Sequence, residues 1–262
     1  MPTGKMIETR GHITGFKEEI SKAAGKSEDD FFTWFNESKD KNAAFVRGHW
    51  DFSYHILRPS WKYIVLPEEK TALEIGYGGG RILAAASRYF NNVIGIDVHE
   101  SSEFVAAELR RRGILNFELM RTDGSSIPVD SETVDFVYSF IVLQHVEKYD
   151  IFKNYLQETY RVLKPGGIAV LYFGRKSYFS LGKSSKLLLL ADMLLETMFL
   201  SRGYDEFPAR VNEINLVISS LHARSLARSL GFRILAQMVS RRKVPDGISL
   251  FGRQSGLVLK RK

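Results

Sequence analysis

Short, densely apolar runs alternate with longer stretches in which apolar residues recur every three or four positions, the pattern of buried strands punctuated by amphipathic helices. Strands are predicted at 72–75, 92–98, 116–122, 134–140 and 168–173, and helices at 80–90, 101–112 and 150–163. The last helix carries Phe152, Leu156 and Tyr160 at four-residue spacing, with Ile151, Tyr155 and Thr159 beside them. In the 101–112 helix Ser101 stands as N-cap, Glu103 comes early, Arg110, Arg111 and Arg112 fill the last turn, and Gly113 stops it, as the helix dipole favours. Lys164-Pro165-Gly166-Gly167 ends the 150–163 helix before the fifth strand. Further on, 216–230 reads as a helix stopped by Gly231, and 233–240 and 256–260 as strands joined around Pro245-Asp246-Gly247. Such alternation builds right-handed β-α-β units, hence a doubly wound, mostly parallel α/β sheet whose ligands sit at the carboxyl ends of its strands. Five core strands and a closing antiparallel hairpin make a seven-stranded sheet.

Two segments break the alternation. Residues 1–27 are polar and glycine-punctuated, a loose arm, and 28–40 then reads as a helix with Ser27 as N-cap and Glu28, Asp29 and Asp30 in its first turn. Aromatic side chains crowd the next stretch, among them Phe31, Phe32, Trp34, Phe35, Trp50, Tyr54 and Trp61; they either cap a site or seal the sheet. The expected division is an N-terminal arm and helical, aromatic cap at 1–66 and a ligand-binding domain at 67–262 with a helical insertion at 176–215. Within the insertion the run 187–200 is apolar on most sides but carries Asp192 and Glu196, and is too short to span a bilayer. A core or lid helix is expected there. A substrate groove, a dimer face or peripheral membrane contact through 183–202 are the alternatives, the last because Lys183, Lys186 and Arg202 suit lipid headgroups.

Composition narrows the picture. A 262-residue chain with 44% hydrophobic residues can fill a sizeable core, and the absence of cysteine excludes disulfides and thiolate metal sites. The N-terminus lacks the apolar core of a signal peptide, and no run of about 18 uncharged apolar residues occurs, so a cytoplasmic protein without a transmembrane segment is expected. The net charge of +7 is unevenly placed: residues 1–150 hold 18 basic and 23 acidic side chains, residues 151–262 hold 19 and 7. A basic C-terminal half suits an anionic partner such as a phosphorylated substrate, nucleic acid or lipid headgroup, or is no more than a soluble surface.

The chemistry gathers around the first strand, which breaks into Gly76, Gly78, Gly79 and Gly80 before helix-forming sequence resumes. Glycines let such a turn take positive φ and bring its N–H groups against a ligand. Three acids lie at or just past the strand ends: Glu74 just before the glycines, Asp97 21 residues after Gly76, and Asp123 past the third strand. Carboxylates so placed can accept hydrogen bonds from ribose hydroxyls, an adenine amino group or an ammonium. The dinucleotide fingerprint Gly-x-Gly-x-x-Gly fails at Arg81 counted from Gly76 and at Leu83 counted from Gly78, and Glu74 sits badly beside a pyrophosphate.

With acid-x-Gly-x-Gly-x-Gly complete at Glu74, Gly76, Gly78 and Gly80, the chain resembles the class I S-adenosylmethionine-dependent methyltransferases of the broad small-molecule type. The likeness runs from about 70 to 175. Asp135-Phe136-Val137-Tyr138-Ser139 looks like the fourth-strand motif, Gln144-His145-Val146 like the segment after it, and Leu163-Lys164-Pro165-Gly166-Gly167 like the turn before strand five. It implies a Rossmann-like fold with S-adenosyl-L-methionine as cofactor. By the resemblance Gly76, Gly78 and Gly80 lie against the cofactor's methionine portion, Glu74 and the Phe140 carbonyl near its amino group, Asp97 at the ribose and Asp123 at the adenine, with Tyr77, Val98 and Gly124 beside them. The methyl group is expected to face a space between the fourth-strand loop, the aromatic segment and the 176–215 insertion.

An acceptor hydroxyl or amine can use a base, and His145, just beyond strand four, is the candidate catalytic residue, with support of its loop as the alternative role. His49, His55 and Tyr54 are rivals, whereas His99 is assigned nothing. Residues 139–146 contain no carboxylate, so no metal is expected, and Ser139-Phe140-Ile141-Val142 replaces the motif of nucleobase amino-group methylators. The expected activity is methyl transfer to oxygen of a small-molecule, sugar or lipid-linked acceptor, with the basic half favouring a phosphorylated one. An RNA methyltransferase using that basic half, or a non-catalytic cofactor-binding interaction protein, are the alternatives.

Overall fold

The computed structural model describes residues 15–36, 39–177, 185–198, 203–244 and 247–262. In chain order, α1 (Phe16–Lys26), α2 (Glu28–Asn36) and α3 (Lys41–Asp51) lead through a π-helical turn (Phe52–Leu57) into the short α4 (Arg58–Ser60). There follow β1 (Thr71–Ile75), α5 (Leu83–Ala86), β2 (Asn92–Asp97), α6 (Ser102–Arg111), β3 (Phe117–Arg121), β4 (Val134–Ser139), α7 (Tyr149–Val162) and β5 (Leu163–Arg175). The chain closes with α8 (Lys186–Met198), β6 (Tyr204–Glu206), β7 (Leu216–Ile218), α9 (Ser220–Ser229), β8 (Phe232–Val244) and β9 (Gly247–Arg261).

Strands β3-β2-β1-β4-β5 lie parallel in that order; β9 joins β5 antiparallel and β8 joins β9 antiparallel. These seven are the predicted sheet with its closing hairpin. A short unpredicted pair is added, β7 parallel to the last two residues of β5 and β6 antiparallel to β7.

Several boundaries differ for local reasons. The expected 28–40 helix stops at Asn36, and α3 restarts behind Asp40, whose Oδ1 accepts the Ala43 N–H at 3.0 Å. Ser27 caps as expected, its Oγ accepting the Asp30 N–H at 3.0 Å. Ser101 does not cap α6 through its side chain; its N–H is donated to His99 Nδ1. The 80–90 helix shrinks to α5 because tighter three-residue turns flank it, Ala85 N–H to the Ile82 carbonyl and Tyr89 N–H to the Ala86 carbonyl. The Lys164–Gly167 turn is absorbed as a bulge in β5, where the register jumps from Val134↔Leu163 to Phe136↔Ile168. The expected 216–230 helix splits: Leu216-Val217-Ile218 pairs as a strand, and Ser219 starts α9 by accepting the His222 N–H at 3.1 Å. The arm before residue 15, Lys183, Arg202 and Pro245-Asp246 lie outside the described residues.

Alternation along the strands divides the core. Ala72, Phe136, Tyr138, Val170 and Tyr172 face one side, Leu73, Ile75, Val137, Leu171 and Phe173 the other. The first face is covered by Phe31, Phe32, Phe45, Phe52 and Ile56, so the aromatic segment does seal the sheet. Each such side chain contributes roughly 1.5–3 kcal/mol on burial. The second face is covered by Phe152, Tyr155 and Leu156 of α7 and Ala223 and Ala227 of α9. Helix α8 joins neither cluster. It docks through buried Asp192, bonded to Arg175 (3.2 Å) and Ser177 (2.6 Å), and leaves Leu187, Leu190 and Leu194 exposed, so of the core or lid helix expected it is not the core form. No helix among the described residues is long and apolar enough to cross a membrane.

Candidate active site

Strand β1 ends at Gly76, and the chain turns through Gly76 (φ 78°) and Gly78 (φ 51°), backbone that L side chains rarely adopt. Packing forbids a side chain as well: a Cβ at Gly76 would lie 2.4 Å from Val142 Cγ2, and one at Gly78 2.9 Å from Phe35 Cδ1. The turn is therefore gripped by the loop after β4 on one side and by α2 on the other.

Gly78 is also fixed at both ends of its peptide unit. Its N–H donates to Asp97 Oδ2 at 2.8 Å, and its carbonyl lies 3.1 Å from His99 Nε2. Ser101 N–H donates to His99 Nδ1 at 3.2 Å, so Nε2 carries the proton and donates to Gly78. Asp97 Oδ1 accepts the Val98 N–H at 2.7 Å. His99, given no role from sequence, thus completes a clamp with Asp97; its place two residues after the strand-end acid was the available signal.

Glu74 lies opposite Tyr138 in register, and the Tyr138 hydroxyl donates to its Oε2 at 3.1 Å. Burial pushes the Glu74 carboxyl up to about 8, with Tyr138 and Arg81 pulling it down and Asp97 reinforcing the rise. Arg81, the residue that breaks the dinucleotide fingerprint, pairs instead with buried Asp51 of α3 at 2.5 Å, tying the N-terminal helices to the turn.

A cavity of about 1300 Å³ opens over the carboxyl ends of the strands. Of the residues expected to bind a cofactor or act chemically, Glu74, Gly76, Tyr77, Gly78, Asp97, Val98, Phe140 and His145 line it, while Gly80, Asp123 and Gly124 do not. Asp123 is turned into its own loop. Burial pushes its carboxyl up, but the N–H groups of Ser125 (2.9 Å) and Ser126 (2.8 Å), both on Oδ1, outweigh it and hold the group below the ordinary range. Thr122 and Tyr155 reach the wall there.

His145 is buried, and both ring nitrogens are engaged. Nε2 lies 3.1 Å from Gln144 Nε2 and accepts from that amide, so Nδ1 carries the proton and donates to the Glu213 carbonyl at 2.5 Å. Burial lowers its pKa, and the bond to Glu213 only partly opposes this, so the ring is neutral at pH 7. It bridges the loop after β4 to 213–215, where Asn215 Nδ2 donates to the His145 carbonyl at 2.9 Å. Its rivals His49, Tyr54 and His55 are not on the wall; His55 stacks on Phe140 at 4.4 Å and accepts the Arg241 N–H at Nε2.

Sequence reasoning missed three parts of the wall. Asn36, at the end of α2, has a buried amide Nδ2 with no partner among the described residues. Ile141 holds a positive φ of 63°, costly for a β-branched residue, and its N–H is held at 3.1 Å by Gln254 Oε1 of β9. Of the described residues of the 176–215 insertion only 212–214 reach the cavity, and the β8–β9 hairpin adds Arg241, Arg242, Arg253 and Gln254 to the far wall. Phe16, Trp34, Phe35 and Trp50 close the remaining side, so the N-terminal segment both seals the sheet and covers the site. Among the described residues no cluster of three His, Asp or Glu side chains could hold a metal ion.

Residues 73–171 match the model of a methyltransferase domain. Over 138 residues the chain is 29% identical to a malonyl-[acyl-carrier protein] O-methyltransferase from Marinomonas sp. (strain MWYL1), covering 52% of this chain and 49% of that one. Over 132 residues it is 26% identical to a tRNA (carboxymethyluridine(34)-5-O)-methyltransferase from Macaca fascicularis, covering 48% and 18%. The chain thus spans half or less of the length of these curated relatives. A solved S-adenosylmethionine-dependent methyltransferase from Methanosarcina mazei superposes with a TM-score of 0.55 at 20% identity, covering 77% of this chain and 95% of that one, a likeness of fold. Residues 73–171 match a methyltransferase domain, and the chain has the class I S-adenosylmethionine-dependent methyltransferase fold.

Proposed function

We propose that the chain is an S-adenosylmethionine-dependent methyltransferase acting on an oxygen of a small-molecule, sugar or lipid-linked acceptor. One observation carries the reading: two buried carboxylates, Glu74 and Asp97, flank a fixed glycine turn in the wall of a single cavity of about 1300 Å³. Pockets for one drug-sized ligand run to roughly 1000 Å³, so cofactor and a second small molecule can share this one. The wall also fits the cofactor chemically. Glu74, bonded by the Tyr138 hydroxyl, is an acceptor suited to an ammonium, and Asn36 Nδ2 is a buried donor suited to a carboxylate.

S-adenosylmethionine, when bound, supplies an electrophilic methyl group. The chain's own residues hold and shield. Asp97 and His99 fix Gly78, Arg81 and Asp51 fix the N-terminal helices over the turn, and Phe16, Trp34, Phe35 and Trp50 exclude water. Holding two reactants in place can supply several kcal/mol of the barrier reduction. His145 serves here as a positioning residue for the loop after β4, because releasing its Nε2 lone pair for a substrate proton would break the bond from Gln144. Oxygen is favoured because both relatives described above are named as O-methyltransferases.

The tRNA enzyme among them keeps RNA as the second reading. A screen with S-adenosylmethionine over phosphorylated sugars, lipids, phenols, carboxylic acids and RNA, read by S-adenosylhomocysteine release and acceptor mass, separates the two. The reading expects a methylated small-molecule oxygen; turnover on RNA alone would replace it.

A further inference from the structure

We infer that the hairpin side of the cavity is an anion subsite: the acceptor carries a phosphate or carboxylate group bound by Arg241, Arg242 and Arg253. The inference rests on reading the cavity as a methyl-transfer site and adds the chemical class of the acceptor.

Strand-borne acids and arginines are sorted across the sheet. Glu74 and Asp97 lie on β1 and β2, and the arginines on β8 and β9, with β4 and β5 between. From β2 to β9 is four strand spacings, roughly 20 Å. Arg242 and Arg253 make no ion pair among the described residues, and both are exposed on the cavity wall. The Arg241 guanidinium lies over the Phe251 ring at 3.8 Å, a contact that orients it. Arg47 of α3 and Arg81 also reach the wall, but both are engaged by Asp51, Arg81 at 2.5 Å and Arg47 at 3.8 Å from the same oxygen.

Two exposed like charges such as Arg242 and Arg253, with no ion pair among the described residues, repel one another, and a bound anion relieves that repulsion. Guanidinium groups supply the paired N–H donors that match phosphate and carboxylate oxygens. The same wall carries the strained Ile141, held by Gln254 one residue beyond Arg253, so the hairpin also shapes the loop that ends β4. An anion held by the arginines leaves the rest of a small acceptor over the loop after β4, between the subsite and Glu74.

The test is equilibrium binding to the full chain by calorimetry, with inorganic pyrophosphate and malonate as probes and S-adenosylhomocysteine titrated in parallel. Binding of either anion is expected, weakening from 50 to 200 mM NaCl. Arg242→Ala/Arg253→Ala should weaken it at least tenfold while S-adenosylhomocysteine affinity stays within twofold. Both positions are exposed, so folding should survive, and Arg242→Lys/Arg253→Lys should recover part of the affinity. Pyrophosphate against malonate shows which group the subsite prefers. No binding of either anion, or equal binding by the double Ala variant, overturns the subsite. Tight RNA binding with a steep salt slope and neither small anion bound would overturn the small-molecule assignment. Failure of the wild-type chain to bind S-adenosylhomocysteine would overturn the cofactor reading itself, whatever the anions do.

Discussion

The two sides of the cavity are built differently. On the β1–β2 side, the polar contacts of the turn's backbone are local: Gly78 is held by Asp97 and His99, about twenty residues away, and Asp97 bonds the next residue along. On the hairpin side the contacts join distant chain, Ile141 with Gln254 and His55 with Arg241, 113 and 186 residues apart. The first side satisfies its own backbone and presents buried carboxylates; the second presents guanidinium groups. The backbone hydrogen bonds of a ligand-binding turn can thus be met locally while those of the opposite wall join distant chain, and the two should respond independently to mutation.

The largest effect is expected from Asp97→Ala. It strips the acceptor from the N–H groups of Gly78 and Val98. Each buried donor so orphaned costs about 1–3 kcal/mol. S-adenosylhomocysteine affinity measured by calorimetry should fall about 100-fold or more, with pyrophosphate affinity unchanged. Joint loss of both would show that the two sides are not independent.

Next comes pH. Ligand-free Glu74 keeps its proton to about pH 8, with Tyr138, Arg81 and Asp97 as the groups acting on it. An ammonium ligand favours the ionised form, so affinity should rise by up to about tenfold per pH unit from 6 to 8, then level, with proton release on binding. Glu74→Gln should flatten the profile. For stability the sign is opposite. The folded chain holds a proton that the unfolded chain loses near 4.5, so this group lowers ligand-free stability as pH rises to about 8. Thermal melts of wild type and Glu74→Gln between pH 5 and 9 check this.

Gln254→Ala removes the partner of the strained Ile141 N–H. It should raise acceptor KM about tenfold and leave S-adenosylhomocysteine affinity within twofold; equal changes in both would tie Gln254 to the cofactor side. The smallest effect is assigned to His145→Ala, with a Tm lower by several degrees, kcat down less than tenfold and an unchanged pH–rate profile. Loss of a limb of that profile would make His145 the base.

Legibility followed the same divide. The positions of the core strands, the glycine turn and the acids at Glu74 and Asp97 could be read because each expresses a short-range regularity, alternation or a fixed spacing. Asp123 occupied its expected place after β3, yet Ser125 and Ser126 engage its carboxylate, a turn preference that spacing alone does not reveal. The helix expected at 216–230 missed β7 because Leu216-Val217-Ile218 suits either state until β5 offers it a partner. The hairpin's part in the cavity was invisible, since nothing near Ile141 announces Gln254. The surplus of basic residues after 150 was legible, but not its concentration at Arg241, Arg242 and Arg253 on one wall.

The most direct measurement is a calorimetric titration of the purified chain with S-adenosylhomocysteine and, separately, with NAD. Saturable binding of S-adenosylhomocysteine near pH 8, lost in Asp97→Ala, with no binding of NAD, is the predicted result. Binding of NAD without S-adenosylhomocysteine would contradict the account.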